Sequence, residues 1–388
     1  MKFLEIDFSI LWTRLIWPFI QKNWILVIIA IPVVYCLWKI LVAVLRYLRH
    51  RFVERDLVFM QITLPREDSP KDKEKDVEKD FRERIAIMEQ LYRSIYEIRE
   101  LSIVNILRRY LFLHHFVSFE IVAREKSVSF YVVMFKEYRN VVEKQITSYY
   151  KDADIQYVDA YEIKMKGTKT VAYYGYEKRP FWFPIKTFKT LENDPLNSMT
   201  NVLSKLDANE MAIIQLVIRP RNGSWRKKAE ESGTALMKGK ENKSLLGKIP
   251  IIGHIHTFFT MMLFGYERAK ETTSAPGAER GDPYIRMLQT KEEIAKQIGQ
   301  KSQQDGFDTV VRLIASGASR SRAAEIMNDM VVSLNLFKDP AMNYFQTRRI
   351  IPLHIINSPW MVHNFRHRIF RFGEKASILV PEELASFF

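Results

Sequence analysis

The sequence predicts an α+β protein with an N-terminal transmembrane helix, a charged helical stalk and two ferredoxin-like lobes, each an antiparallel sheet plus helix. Three observations predict it. An apolar run of 22 residues from Trp24 to Leu45 is interrupted only by Lys39. A mixed-charge tract at 71–84 leads into a stripe of apolar residues at helical period. Beyond it, short β-branched and aromatic runs alternate with amphipathic segments in strand–helix–strand order. With 47% hydrophobic and 27% charged residues among 388, the chain can build a large core, which excludes wholesale disorder and collagen-like repeats. Cys36 is its one cysteine, so no internal disulfide forms.

The anchor comes first. At about 1.5 Å per residue the Trp24–Leu45 run reaches about 33 Å, enough for a hydrocarbon core of about 30 Å. Trp24 at one edge, and Tyr35 and Trp38 toward the other, fit as interfacial aromatics. Arg46, Arg49, Arg51 and Arg55 follow at once, whereas Lys22 is the one base close to the other side. The positive-inside rule then places residues 46–388 in the cytoplasm, as the bulk of a single-pass protein of the inner (cytoplasmic) membrane. Phe8–Ile20 is shorter and carries Arg14 and Pro18, so it is expected in the interface.

Phe81, Ile85, Met88, Tyr92 and Ile95 predict a helix over about 76–100, a stalk whose stripe serves as core or as a self-association seam of a homo-oligomer. Val117–Arg124 and Val128–Phe135 read as a hairpin around Glu125-Lys126, Tyr138–Tyr150 as a helix, and Ile155–Tyr161 as a strand. Val171–Tyr176 and Phe181–Phe188 add strands, the latter confined to an edge by Pro180 and Pro184. Asp194 caps a helix from Pro195 to Leu206, and Met211–Ile218 is a buried strand. Gly306–Ala315 is a strand, Ser319–Leu336 a helix, and Met342–Ile350 a further strand. The expected organisation is an anchor at 1–50 (interfacial 8–20, transmembrane 24–45), linker and stalk at 51–110, and a first lobe at 111–221. A flexible insertion at 222–283 with an uncharged segment at 249–264 follows, then a second lobe with C-terminal connector at 284–388.

Catalytic motifs are absent. Gly239-Lys240 is followed by Glu241 and Gly247-Lys248 by Ile249, so neither is a phosphate-binding loop ending in Ser or Thr. His363/His367 and His254/His256 have pairwise spacing for a metal but no third ligand at recognisable distance. No Gly-x-Ser-x-Gly elbow occurs. The expectation is a non-enzyme without catalytic, cofactor or metal residues. The charge balance, 59 basic against 45 acidic residues for a net +14, favours an anionic partner. The basic-aromatic segment 348–371 concentrates it: Arg348, Arg349, Arg366, Arg368 and Arg371 surround Trp360, and no acid lies between Asp339 and Glu374. Guanidinium groups interleaved with rings suit acidic lipid heads or nucleic acid, which makes a membrane-tethered nucleic-acid-binding protein the alternative reading.

Several stretches carry a resemblance: MEQLYRSIYEI at 88–98, FEIVAR at 119–124, FYVVMF at 130–135 and VEKQITSYYKDADIQYVDAY at 142–161. MAIIQLVIRP at 211–220 with Trp225, FDTVVRLIA at 307–315, and ILVPEELASFF at 378–388 complete it. Together they resemble the membrane-anchored region upstream of the motor domain in type IV secretion and conjugation ATPases (VirB/TraC, HerA-like). In that class the last segment leads into the ATPase, so the resemblance implies docking of a P-loop ATPase through Glu382, Glu383 and Leu384. The motor itself is expected on a separate or downstream polypeptide. The implied function is a non-catalytic membrane adaptor.

Overall fold

Strands and helices follow one another in two rounds of the same order. The first round is β1 (Leu57–Thr63), α1 (Phe81–Tyr96), β2 (Val117–Arg124), β3 (Ser127–Phe135), α2 (Arg139–Tyr149) and β4 (Asp154–Val158). The second is β5 (Lys169–Glu177), α3 (Pro195–Ser204), β6 (Met211–Pro220), β7 (Phe307–Gly317), α6 (Arg320–Leu334) and β8 (Phe345–Arg348). Between β6 and β7 the helices α4 (Ser224–Met237) and α5 (Pro283–Ser302) are inserted, and α7 (His354–Arg366), β9 (Ser377–Leu379) and α8 (Pro381–Ala385) close the chain. The computed structural model describes residues 33–38, 40–42, 44–45, 56–64, 81–97, 116–163, 167–237, 283–370 and 374–388.

Each round is a β-α-β-β-α-β unit. Strand order across the sheet is β4-β1-β3-β2-β6-β7-β5-β8, so the second unit reads as the first in reverse. The units meet where β2 pairs antiparallel with β6, and β9 joins β7 at Phe307–Thr309, beyond where β5 ends its pairing at Val311. Each crossover helix steps over one strand: α2 carries β3 past β1 to β4, and α6 carries β7 past β5 to β8. The α+β class with antiparallel strand pairing is as expected. The boundaries differ: strands assigned to two lobes at 111–221 and 284–388 form one continuous sheet, because β2 and β6 leave no free edge between them.

The stalk helix is likewise relocated. α1 buries Met88, Leu91, Tyr92, Ile95 and Tyr96. Tyr92 meets Phe119 edge-on with ring centres 5.0 Å apart, and Tyr96 donates its hydroxyl to the Arg221 carbonyl at 2.8 Å. The apolar stripe is therefore core. α2 and α3 lie on the same sheet face as α1, Ile146 and Leu196 lining one cleft with Leu91 and Phe119, and α6 packs against α3. The hairpin forms as expected: Glu125 and Lys126 have φ of 53° and 63°, the left-handed pair of a two-residue turn. Asp194 caps α3, accepting from the Leu196 amide at 2.8 Å. Residues 181–188 are irregular rather than a strand, in keeping with the donors that Pro180 and Pro184 lack.

Contact density divides the chain into two compact units, Met1–Leu57 with Glu100–His115, and Val58–Arg99 with Phe116–Phe388. In the first, the described residues between 33 and 45 are helical, and Val34, Tyr35, Leu37 and Ile40 are exposed. Among the described residues no helix is long and apolar enough to cross a membrane. Half of the expected 24–45 span, and all of the 8–20 and 249–264 segments, lie outside the described residues.

The expected insertion is partly ordered helix. α4 packs on α5, and Trp225, Ala229 and Ile298 join Ile378 and Val380 in a buried cluster. The Trp225 indole lies directly against Gly306, where an added Cβ would stand 2.6 Å from Nε1. Trp225 is 1% exposed, so the ring has nowhere to retreat. Gly306→Ala is expected to destabilise by about 1–3 kcal/mol in denaturant titration, and unchanged stability would contradict this packing.

Candidate functional site

The sheet's two faces differ because side chains alternate along each strand. Phe119 points into the helix layer, and its neighbour Glu120 points the other way. Paired positions carry that polarity across six strands as one row: Tyr131, Glu120, Gln215, Arg312, Tyr174 and Arg348. Glu120, Gln215 and Arg312 are each 0% exposed. What covers them is α7 with residues 367–370 and Glu374.

Arg368 reaches Glu120 with both arms of its guanidinium, Nε to Oε1 at 3.0 Å and Nη2 to Oε2 at 2.8 Å. Ser118 Oγ and Gln215 Nε2 also donate to Oε1, at 2.6 and 2.8 Å, and the Tyr161 hydroxyl donates to Oε2 at 2.5 Å. Burial pushes the Glu120 carboxyl upward, but the charge and hydrogen bonds of Arg368, with those of Ser118 and Tyr161, hold it below its ordinary value. The guanidinium also lies over the rings of Phe59, at 4.5 Å, and Tyr161, at 5.6 Å. Next along the row, Arg312 donates to Glu374 Oε1 at 2.8 Å, to Gln215 Oε1 at 2.7 Å and to the Ile369 carbonyl. Two cations and two carboxylates thus balance inside the protein.

The end of α7 makes this possible. Arg368 has φ of +48°, while its amide donates to the Phe365 carbonyl and that of Ile369 to the Asn364 carbonyl. That is a Schellman helix stop, usually built on glycine. An arginine accepts the left-handed backbone here because the side chain then turns back onto Glu120. The network closes a structural seam and leaves no charged atom open to a ligand.

A second buried cluster sits at the base of α5. Lys301 Nζ lies 3.3 Å from Glu177 and 3.0 Å from Glu383, all three groups being almost fully buried. Asn343 Nδ2 donates to Glu177 at 3.3 Å, and the Ile378 amide donates to its other oxygen at 3.2 Å. One cation faces two carboxylates, and burial pushes Glu177 up to about 7 and Glu383 in the same direction. Lys301 and Glu383 line a cleft of about 670 Å³ together with Lys189, Lys296, Gln300, Gln304 and Glu382.

The residues expected from sequence to carry function are scattered. Trp24, Arg46, Arg49, Arg51, Arg371 and the His254/His256 pair lie outside the described residues. Tyr35 and Trp38 are on the exposed helical stretch, 59% and 48% accessible. Of the basic stripe, Arg348 and Arg366 are exposed, and Arg349 donates to the Tyr173 hydroxyl at 3.1 Å. Arg368 is a correction: it is 2% exposed and bound to Glu120, so it cannot contact an external anion. Glu383 and Leu384 are a second correction. At 1% and 0% exposure they are core, because β9 and α8 fold back onto β7 and α1. Glu382 is bound by Thr187 at 2.6 Å and Lys189 at 2.8 Å. His363 and His367 lie with ring centres 4.3 Å apart and planes tilted by 58°, and among the described residues no group of three or more His, Cys, Asp and Glu could hold a metal. Sequence reading missed Glu120, Gln215 and Arg312, although each is a lone polar residue midway along an apolar strand.

The fold and its seams define a double β-α-β-β-α-β sheet whose buried charges are paired internally. The chain belongs to the family described as "Domain of unknown function (DUF8128)", which matches residues 78–387. No curated protein matches the chain.

Two outcomes follow from these clusters. Glu120→Ala leaves Arg368 buried without its counter-charge and should destabilise by about 3–5 kcal/mol in chemical denaturation; a loss under about 1 kcal/mol would contradict the pairing. For Glu177, the folded state retains a proton that the unfolded chain releases from about pH 4.5 upward, so its contribution is lost as pH rises toward about 7. Melting temperatures across that window should fall in the wild type relative to Glu177→Gln, and parallel profiles would refute the shift.

Proposed function

We propose that the chain is a non-catalytic, membrane-anchored docking module of a type IV secretion or conjugation-like machinery, recruiting a P-loop ATPase carried on another or a downstream polypeptide. The observation that carries the reading is the helical conformation of the described residues between 33 and 45. Val34 is 63% exposed, Leu37 58% and Ile40 59%, and in sequence the stretch runs into Arg46, Arg49 and Arg51. Aliphatic side chains turned outward on a helix need an apolar environment, and a lipid bilayer followed by basic residues on its cytoplasmic side supplies it. Tyr35 and Trp38 act at the interface in this reading.

The body supports a scaffold rather than a reaction centre. Its buried charges, Glu120 with Arg368, Arg312 with Glu374, and Lys301 with Glu177 and Glu383, are committed to one another. With Glu383 and Leu384 in the core, docking of the ATPase falls to exposed surface around Glu382 and Lys189 instead.

Membrane fractionation tests the anchor. The full-length chain is expected to stay with membranes through alkaline carbonate and to leave them only in detergent; release into the carbonate supernatant would overturn the reading. In detergent it should form a stable complex with a co-expressed ATPase encoded beside it, and ATP turnover by the chain alone would count equally against it.

A further inference from the structure

α7 presents the wrong residues to solvent. Ile355, Ile356, Pro359 and Trp360 recur on one face, and Leu353 precedes them at the helix start. Ile355 is 83% exposed, Leu353 65%, Ile356 49% and Trp360 39%. The opposite face buries polar groups beside apolar ones: Asn357 and Asn364 are 0% exposed and Ser358 is 8%, next to Met361 and Phe365 at 0%.

This orientation is fixed in place. Asn357 Oδ1 accepts from the amides of Ile350 and Ile351 at 2.9 and 3.1 Å, while its Nδ2 donates to the Ala172 carbonyl of β5 at 3.0 Å. At the other end, the Schellman stop and Arg368–Glu120 pair set the helix rotation. A helix held by these contacts has Leu353, Ile355, Ile356 and Trp360 committed outward.

Charge says what covers it. Exposed Arg348 lies before the apolar face, and exposed Arg366 and Lys169 line a shallow cleft beyond it with Ser358 and His363. No acid occurs between Asp339 and Glu374. Aliphatic tips gain nothing from a phosphodiester backbone. A bilayer interface accepts both parts, the apolar side chains among acyl chains and the guanidinium groups among anionic heads. We infer that the 353–360 face of α7 is a second membrane contact, one that inserts Leu353, Ile355, Ile356 and Trp360 into anionic lipid. The inference rests on the bilayer reading above but uses different residues.

The test uses full-length chain with Cys36→Ser and one cysteine, at Ile355→Cys or, as a control on α6, at Val332→Cys, labelled with a polarity-sensitive fluorophore. Each is mixed with vesicles of phosphatidylcholine alone or with about 30 mol% phosphatidylglycerol. With anionic vesicles the label at 355 should shift to the blue and be quenched by lipid-chain spin labels, while that at 332 stays aqueous. Arg348→Glu with Arg366→Glu should weaken the quenching at least about fivefold without changing the melting temperature. A label at 355 that stays in water on vesicles that float with the chain overturns the contact and spares the anchor. Flotation with anionic vesicles alone, label buried, upholds the contact and removes the anchor. No flotation at all overturns both. Shielding of the label by added duplex DNA, or by self-association in detergent, instead of lipid would also overturn it.

Discussion

Glu120 and Arg368 decide which surface the protein shows. Removing both charges from water costs several kcal/mol each, and mutual attraction repays this only with near-complete hydrogen bonding. Glu120 has that, accepting five hydrogen bonds from four side chains. Such a pair adds little net stability against a hydrophobic substitute, but it tolerates few geometries. For Arg368 to reach Glu120, α7 must stop where it does, take the left-handed turn and rest on the Gln215–Arg312 part of the row. The rotation of α7 follows, and with it the exposure of Ile355 and Trp360.

Local signals in the chain were sufficient for much of the fold. The β2–β3 hairpin, the Asp194 cap, and β6, β7 and α6 each announce themselves through residues close together in sequence. The β1 strand was lost because LVFMQIT lies between basic and mixed-charge tracts, where seven residues look like linker. Strand order was not legible at all. Crossovers that skip a strand leave no local trace, so the sequence does not reveal that strands at 111–221 and 284–388 share one sheet. The α7 helix is hard to read because apolar residues on both its solvent and its core sides erase the periodicity that marks an amphipathic helix.

The candidate site shows the same limit more sharply. The arginines of 348–371 look alike in sequence, yet Arg366 is exposed and Arg368 is sealed by a carboxylate 248 positions earlier. Glu383 reads as part of an acidic connector until its proximity to Lys301 is known. Lone polar residues centred in apolar strands were the available clue, since burying a charge without a partner is prohibitive. The double-unit sheet of this DUF8128 family member acquires its polarity from those residues: one face carries helices packed by Phe119 and Tyr92, the other a short segment pinned by charge.

Hydrogen exchange in a Glu120→Gln variant at neutral pH addresses the central claim most directly. Weakening that seam alone should strip amide protection from α7 and β9 while α1, α2 and the β2–β3 hairpin keep theirs. Uniform loss across the sheet, or unchanged protection in α7, would mean that something other than this ion pair holds the cap in place.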